Sequence, residues 1–167
     1  MKRTFKLAIA SIAILFVVIS LLGALLPSVV LVSRAVNVER PRDSIRYYLN
    51  DINRWTDWVE GMRDSSVKIF SPTQAKLGRT SVTIQSITDS TITSGWTAAN
   101  GNVQQSLMRL ISDSAGKITV VQWQFEQKLH WYPWEKFGSI MNDKVIGTMM
   151  ERNLNHLKGL AEKKAIN

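Results

Sequence analysis

The chain of 167 residues carries little equipment for covalent chemistry. It has no cysteine, which excludes thiolate nucleophiles, disulfides, iron–sulfur clusters and thiolate zinc sites. Its two histidines, His130 and His156, stand apart and fit no H-E-x-x-H or comparable spacing, so no metal site is expected. No G-x-S-x-G turn presents a serine, and no G-x-x-x-x-G-K-[ST] or G-x-G-x-x-G loop cradles a phosphate. Hydrolase, kinase and dinucleotide chemistries therefore lose their usual residues, and no cofactor is expected. Asp57, Glu126, Glu135 and Asp143 could exchange protons if buried, but solvated surface positions are the ordinary fate of such carboxylates.

The aromatic residues are more informative. Trp55, Trp58, Trp96, Trp123, Trp131 and Trp134 are six indoles, each with a large apolar face and one N–H donor. Trp123 alternates with Thr119, Val121 and Phe125 along one side of a strand-like run. Ordinary core packing accounts for such a stripe. The functional reading is the wall of an apolar cavity formed by Trp58, Trp96, Met108, Val121, Trp123 and Phe125, closed by Phe137, Met141 and Val145 from a final helix. Met108, Met141 and Met149 would supply adaptable contacts to a variable guest. Trp131, Tyr132 and Trp134 surround Pro133 and would form either a lid or a lipid-interface contact, with packing under the helix start as the simpler role.

These side chains need elements to position them. Val29–Val38 is valine-rich and alternating, which predicts a strand, and Pro41 ends it. Ile45, Tyr48, Leu49 and Ile52 follow at helical spacing, predicting a short helix broken near Asn53. Five β-branched runs come next, at 67–70, 80–87, 91–96, 103–111 and 118–125, with short turn-forming spacers such as Ala99-Asn100-Gly101-Asn102. They predict an antiparallel meander. From 134 to 162 the pattern is helical, but Phe137, Ile140, Met141 and Val145 face nearly opposite to Met150, Leu154 and Leu157. A kink near Gly147 is the simpler explanation; alternatively the first half packs against something the second half does not.

Before all of this lies an uncharged run from Leu7 to Leu26, long enough as a helix for the roughly 30 Å hydrocarbon core. Its length and the Leu25-Leu26-Pro27 exit favour a retained anchor over a cleaved signal peptide. Lys2, Arg3 and Lys6 precede it, placing the N-terminus in the cytoplasm and residues 28–167 outside as one extracytoplasmic, periplasmic domain. These three also belong to the 21 basic side chains set against 13 acidic ones, so the domain itself is only modestly basic. Its cations are scattered, and no nucleic-acid partner is expected. Arg34, Arg40, Arg42 and Arg46 form one local group that could meet anionic head groups, although a solvated face is the simpler reading.

The order of strand, broken helix, meander and long final helix is shared with a known family. Val38-Glu39-Arg40-Pro41 followed by Trp55-Thr56-Asp57-Trp58 resembles its strand exit and Trp-x-x-Trp motif, with Glu39-Arg40 replacing the usual Asn-Ala. Val121-Gln122-Trp123-Gln124-Phe125 is similar to its last strand, Trp131-Tyr132-Pro133-Trp134 to the entry of its closing helix, and Leu154-Asn155-His156-Leu157-Lys158 to that helix's end. The chain resembles the START-like, or SRPBCC, superfamily, particularly its bacterial polyketide cyclase/dehydrase-like members with a membrane anchor. That resemblance implies an α+β helix-grip fold, a curved antiparallel sheet wrapped around a long C-terminal helix, enclosing a cavity for lipids or other hydrophobic molecules. It implies no single reaction. Beside simple binding stand a cyclase-like enzyme using Arg109, Gln122, Gln124 and Tyr132, and a protein-interaction module with an unidentified partner.

Overall fold

A computed structural model describes residues 2–163, and the side chains of residues 4–139 and 143–163. Helix α1 (Lys2–Ala24) is followed by strand β1 (Val29–Val38), helices α2 (Arg42–Leu49) and α3 (Ile52–Trp55), and strands β2 (Val67–Ser71) and β3 (Gln74–Leu77). Then come β4 (Thr80–Ile87), β5 (Thr91–Thr97), β6 (Val103–Ser112), β7 (Thr119–Lys128) and helix α4 (Pro133–Lys163). The strands form one seven-stranded antiparallel sheet in the order β1-β7-β6-β5-β4-β3-β2. Six of the seven were expected. β3 is the addition, a short strand whose single buried side chain, Ala75, gives almost no hydrophobic pattern.

The alternation of β7 shows why the sheet has an inside. Thr119, Val121, Trp123 and Phe125 are buried while the residues between them are more exposed, so one face meets the core and the other meets water. Against the inner face lie Met150, Leu154, Leu157 and Ala161 of α4, all buried at helical spacing. Ile45, Tyr48 and Leu49 of α2 close a further side. The expected break near Asn53 is found at 50–51, where the Asp51 side chain accepts from the Asn53 N–H and starts a new helix. Tight turns join the strands, and Gly101 at φ +83° takes a left-handed conformation in the β5–β6 turn that a residue with a Cβ rarely adopts.

α4 runs without interruption from Pro133 to Lys163, so the change of apolar side near Gly147 is not a break in the helix. The second half packs on the sheet, whereas Phe137 and Val145 in the first half are exposed. At Gly147 the Arg34 guanidinium crosses the helix, where a Cβ would collide with it. Arg34 also pairs with Asp143 at 3.3 Å and Glu151 at 2.7 Å. Hydrogen bonds to these carboxylates, Asp143 first, push its pKa still above the ordinary arginine value.

Arg40 and Arg46 of that group serve the far end of the fold. Arg40 donates to the carbonyls of Ala161 at 3.1 Å and Glu162 at 3.0 Å, near the end of α4 where carbonyls lack helical partners. Arg46 pairs with Asp89. Replacing Arg40 with alanine should cost about 1–2 kcal/mol, because two charge-assisted hydrogen bonds are lost at a partly buried position. The expected readout is a lower urea midpoint with an unchanged m value; an unchanged midpoint would show that the cap is replaceable by water.

α1 has one face toward the domain only at its end. Its span Thr4–Ala24 is long and apolar enough to cross a membrane, and its side chains are almost all exposed. At its C-terminus Gly23 approaches Pro133 so closely that a Cβ there would lie 3.2 Å from the Pro133 Cα. Lys136, 5% exposed, donates to the Leu26 carbonyl at 2.9 Å and contacts the Ser28 hydroxyl at 3.2 Å. A cation near the carbonyl end of α1 is electrostatically favourable, and it joins α1, the connecting segment and the start of α4.

Candidate functional site

Five aromatic side chains form a closed ring of contacts inside the sheet. Trp55 meets Trp58 at 6.1 Å between centroids, Trp58 meets Trp123 at 5.7 Å, and Trp123 meets Phe125 at 5.5 Å. Phe125 then meets Trp96 at 5.6 Å, and Trp96 stacks back on Trp55 at 6.2 Å and 14°. Edge-on and stacked pairs of this kind place ring edges against ring faces and add to the burial they share.

Each indole N–H is satisfied within the protein: Trp55 donates to the Leu49 carbonyl, Trp58 to the Tyr48 carbonyl, Trp123 to Ser106 Oγ and Trp96 to Ser94 Oγ. Ser94 and Ser106 face each other across β5 and β6, both almost wholly buried, and their small side chains leave room for the rings they bind. Nothing in the sequence singled them out. Serine in a strand between turns reads as solvent-facing until the register shows which side it occupies.

Beyond Trp96 and Phe125 the aromatic filling stops and a cavity of about 540 Å³ begins, within the roughly 300–1,000 Å³ typical of small-molecule sites. Its apolar wall is Leu77, Trp96, Ala98, Phe125, Ile146 and Met149. Its polar lining is Thr80, Asn100, Asn102, Gln104 and Gln127, with Gln104 Nε2 donating to Gln127 Oε1 at 3.1 Å. No lining residue is charged. The cavity therefore offers neutral donors and acceptors beside an aromatic and aliphatic surface.

Strand register locates it. Val30 lies opposite Gln127, Gln127 opposite Gln104, Gln104 opposite Trp96 and Trp96 opposite Val82, making one row across five strands. That row begins at the second residue of β1, only six residues past the end of α1. The cavity thus lies at the end of the sheet where α1 joins. A second cleft, of about 470 Å³, lies at the other end beside α3 and α4. Unlike the first it carries charged lining residues, of which Asp57 pairs with Arg63 and Glu60 with Arg152.

The expected cavity residues divide accordingly. Trp96 and Phe125 line the cavity. Trp58, Met108, Val121 and Trp123 lie buried in the core behind it. Phe137 and Val145 are exposed on the first half of α4 and line no part of it; the helix presents Ile146 and Met149 to the cavity instead. The Met141 side chain is outside the described residues. Trp131, Tyr132 and Trp134 contact one another, with Tyr132 and Trp134 stacked at 4.9 Å, and all three are exposed. Arg109, Gln122 and Gln124 occupy the convex face, on the alternate positions to Met108 and Trp123, and cannot orient a guest inside. Asp57, Glu126 and Asp143 are exposed, while Glu135 accepts from the His130 backbone N–H. Among the described residues no group of three or more His, Cys, Asp or Glu could hold a metal ion.

No protein-family model matches the sequence, and no curated protein matches it either. Solved structures do match in shape. A START superfamily protein from Mycobacterium smegmatis is similar at a TM-score of 0.62 and 16% identity, covering 81% of this chain and 99% of its own. The Zhui aromatase/cyclase from Streptomyces sp. R1128 is similar at 0.60 and 16%, covering 81% and 95%. A protein from Nitrosospira multiformis is similar at 0.59 and 13%, covering 78% and 94%. With its curved seven-stranded sheet and long closing helix, this chain has the START-like, or SRPBCC, helix-grip fold that aromatase/cyclase structures also share.

Proposed function

We propose that the protein is a membrane-tethered binding protein for a neutral, hydrophobic small molecule, a lipid or lipid-like metabolite. α1 would cross the bilayer with its N-terminus in the cytoplasm, leaving the helix-grip domain on the periplasmic side. The observation that carries the reading is the position of an uncharged 540 Å³ cavity at the same end of the sheet as α1. At about 3.3 Å per strand residue, the Gln127–Gln104 row lies within roughly 15–20 Å of the helix end. A ligand leaving the bilayer would meet the mouth at high effective concentration. The chemistry of the lining supports the ligand class. Amide groups satisfy a hydroxyl, carbonyl or ester, whereas an ionised head group would be desolvated there without a counter-charge.

The test is thermal stabilisation of the detergent-solubilised full chain by two sets of amphiphiles. Diacylglycerols, long-chain alcohols and isoprenoid quinones form the neutral set, and fatty acids and phosphatidylglycerol the anionic one. A neutral ligand at a hundred times its Kd should add about 2.7 kcal/mol, raising Tm by several degrees. Stabilisation by the anionic set alone, or by neither, would sink the proposal.

A further inference from the structure

We propose that the first turn of α4 and the segment before it form a second contact with the same bilayer, fixing the domain with its cavity mouth toward the lipid. This rests on the reading of α1 as a membrane span. Trp131, Trp134 and Phe137 are 67%, 62% and 41% exposed, an unusual density of aromatic surface for a soluble face. Their height along α1 is determined by two contacts. Gly23 in the last turn of α1 abuts Pro133, and Lys136 is tied to the Leu26 carbonyl and the Ser28 hydroxyl. The aromatic turn therefore lies level with the C-terminal end of α1, where an apolar span meets the head groups.

Tryptophan and tyrosine concentrate at that depth, because their rings prefer the interface while their N–H and O–H groups stay hydrated. Leu25, just past the end of α1, is itself 83% exposed. A bilayer already present along α1 is thus the occupant this face fits. Lys136 also acquires a purpose. Its ammonium is buried against a carbonyl and a hydroxyl, so α4 cannot tilt away from α1 without breaking both contacts. With Ile146 and Met149 further along α4 on the cavity wall, a helix held at the interface holds that wall in place as well.

The absence of cysteine makes the test clean. The single variants Trp134→Cys and Phe137→Cys would be spin-labelled in the full chain, reconstituted in phosphatidylethanolamine and phosphatidylglycerol vesicles, with Ile14→Cys and Ser114→Cys as references. Ile14 lies in the middle of α1, and Ser114 in the β6–β7 turn at the opposite end of the sheet. The expected oxygen-to-nickel-chelate collision ratios at 134 and 137 exceed that at 114 severalfold and fall below that at 14. Ratios at 134 and 137 equal to 114, with 14 still in hydrocarbon, overturn this proposal and leave the tether standing. Water exposure at 14 would remove the tether and this inference together. Both labelled positions are exposed, so folding should survive, and an unchanged thermal transition checks it.

Discussion

Trp123→Ala should lower the melting temperature by roughly 10–20 °C, the largest effect expected from any single change in the domain. Trp123 is fully buried, touches Trp58 and Phe125, and donates to Ser106 Oγ at 2.8 Å. Truncation loses the transfer energy of the indole, leaves a void among stiff rings and strands a buried hydroxyl. Tryptophan-to-alanine changes in cores cost about 3–5 kcal/mol, and each kcal/mol moves Tm by about 3–5 °C at this size. Trp123→Phe separates the contributions. It keeps a ring in the cluster and removes the N–H, so it should cost about 1–3 kcal/mol through the orphaned Ser106 hydroxyl and imperfect packing. A Tm shift of only about 3 °C for Trp123→Ala would show that the five-ring cluster does not support the core.

The second large effect is on binding. Ala98→Trp should abolish the ligand-induced rise in Tm, weakening affinity at least about tenfold, which is about 1.4 kcal/mol. Ala98 lines the mouth from the β5–β6 turn, whose contacts there are made by backbone: its N–H donates to the Asn102 carbonyl at 2.9 Å and its carbonyl accepts from the Gly101 N–H at 2.9 Å. A larger side chain fills the entrance without disturbing those bonds, so the unliganded protein should change by no more than about 0.5 kcal/mol. Unaltered ligand stabilisation in this variant would place the guest elsewhere.

The contrast between these variants reflects what could be read from the chain. Alternation in β4, β6 and β7 is visible because one face is buried, and the helical spacing of Met150, Leu154 and Leu157 marks the helix that covers it. β3 escaped because Gln-Ala-Lys-Leu has one buried residue and no β-branched side chain. The tryptophans were legible as apolar faces, but not as partners of each other. Whether Trp123 meets a guest or Trp58 depends on how closely α3 and α4 approach the sheet, a distance no local pattern encodes. Likewise Gln104 and Gln127 are 23 residues apart and meet only through register, and Asn100 and Asn102 look like any turn. The opposite faces of α4 were visible in the sequence, and no break in the helix accompanies them. The helix is continuous, and its first half simply extends to the level of α1.

Whether the cavity holds a lipid is read most directly by lipid mass spectrometry of organic extracts from the purified protein, wild type beside Ala98→Trp. Lipid bound along α1 should be common to both samples and cancel. One neutral amphiphile near stoichiometric amounts is expected in the wild type, depleted in the variant. The same extract from both proteins would contradict a cavity-bound ligand.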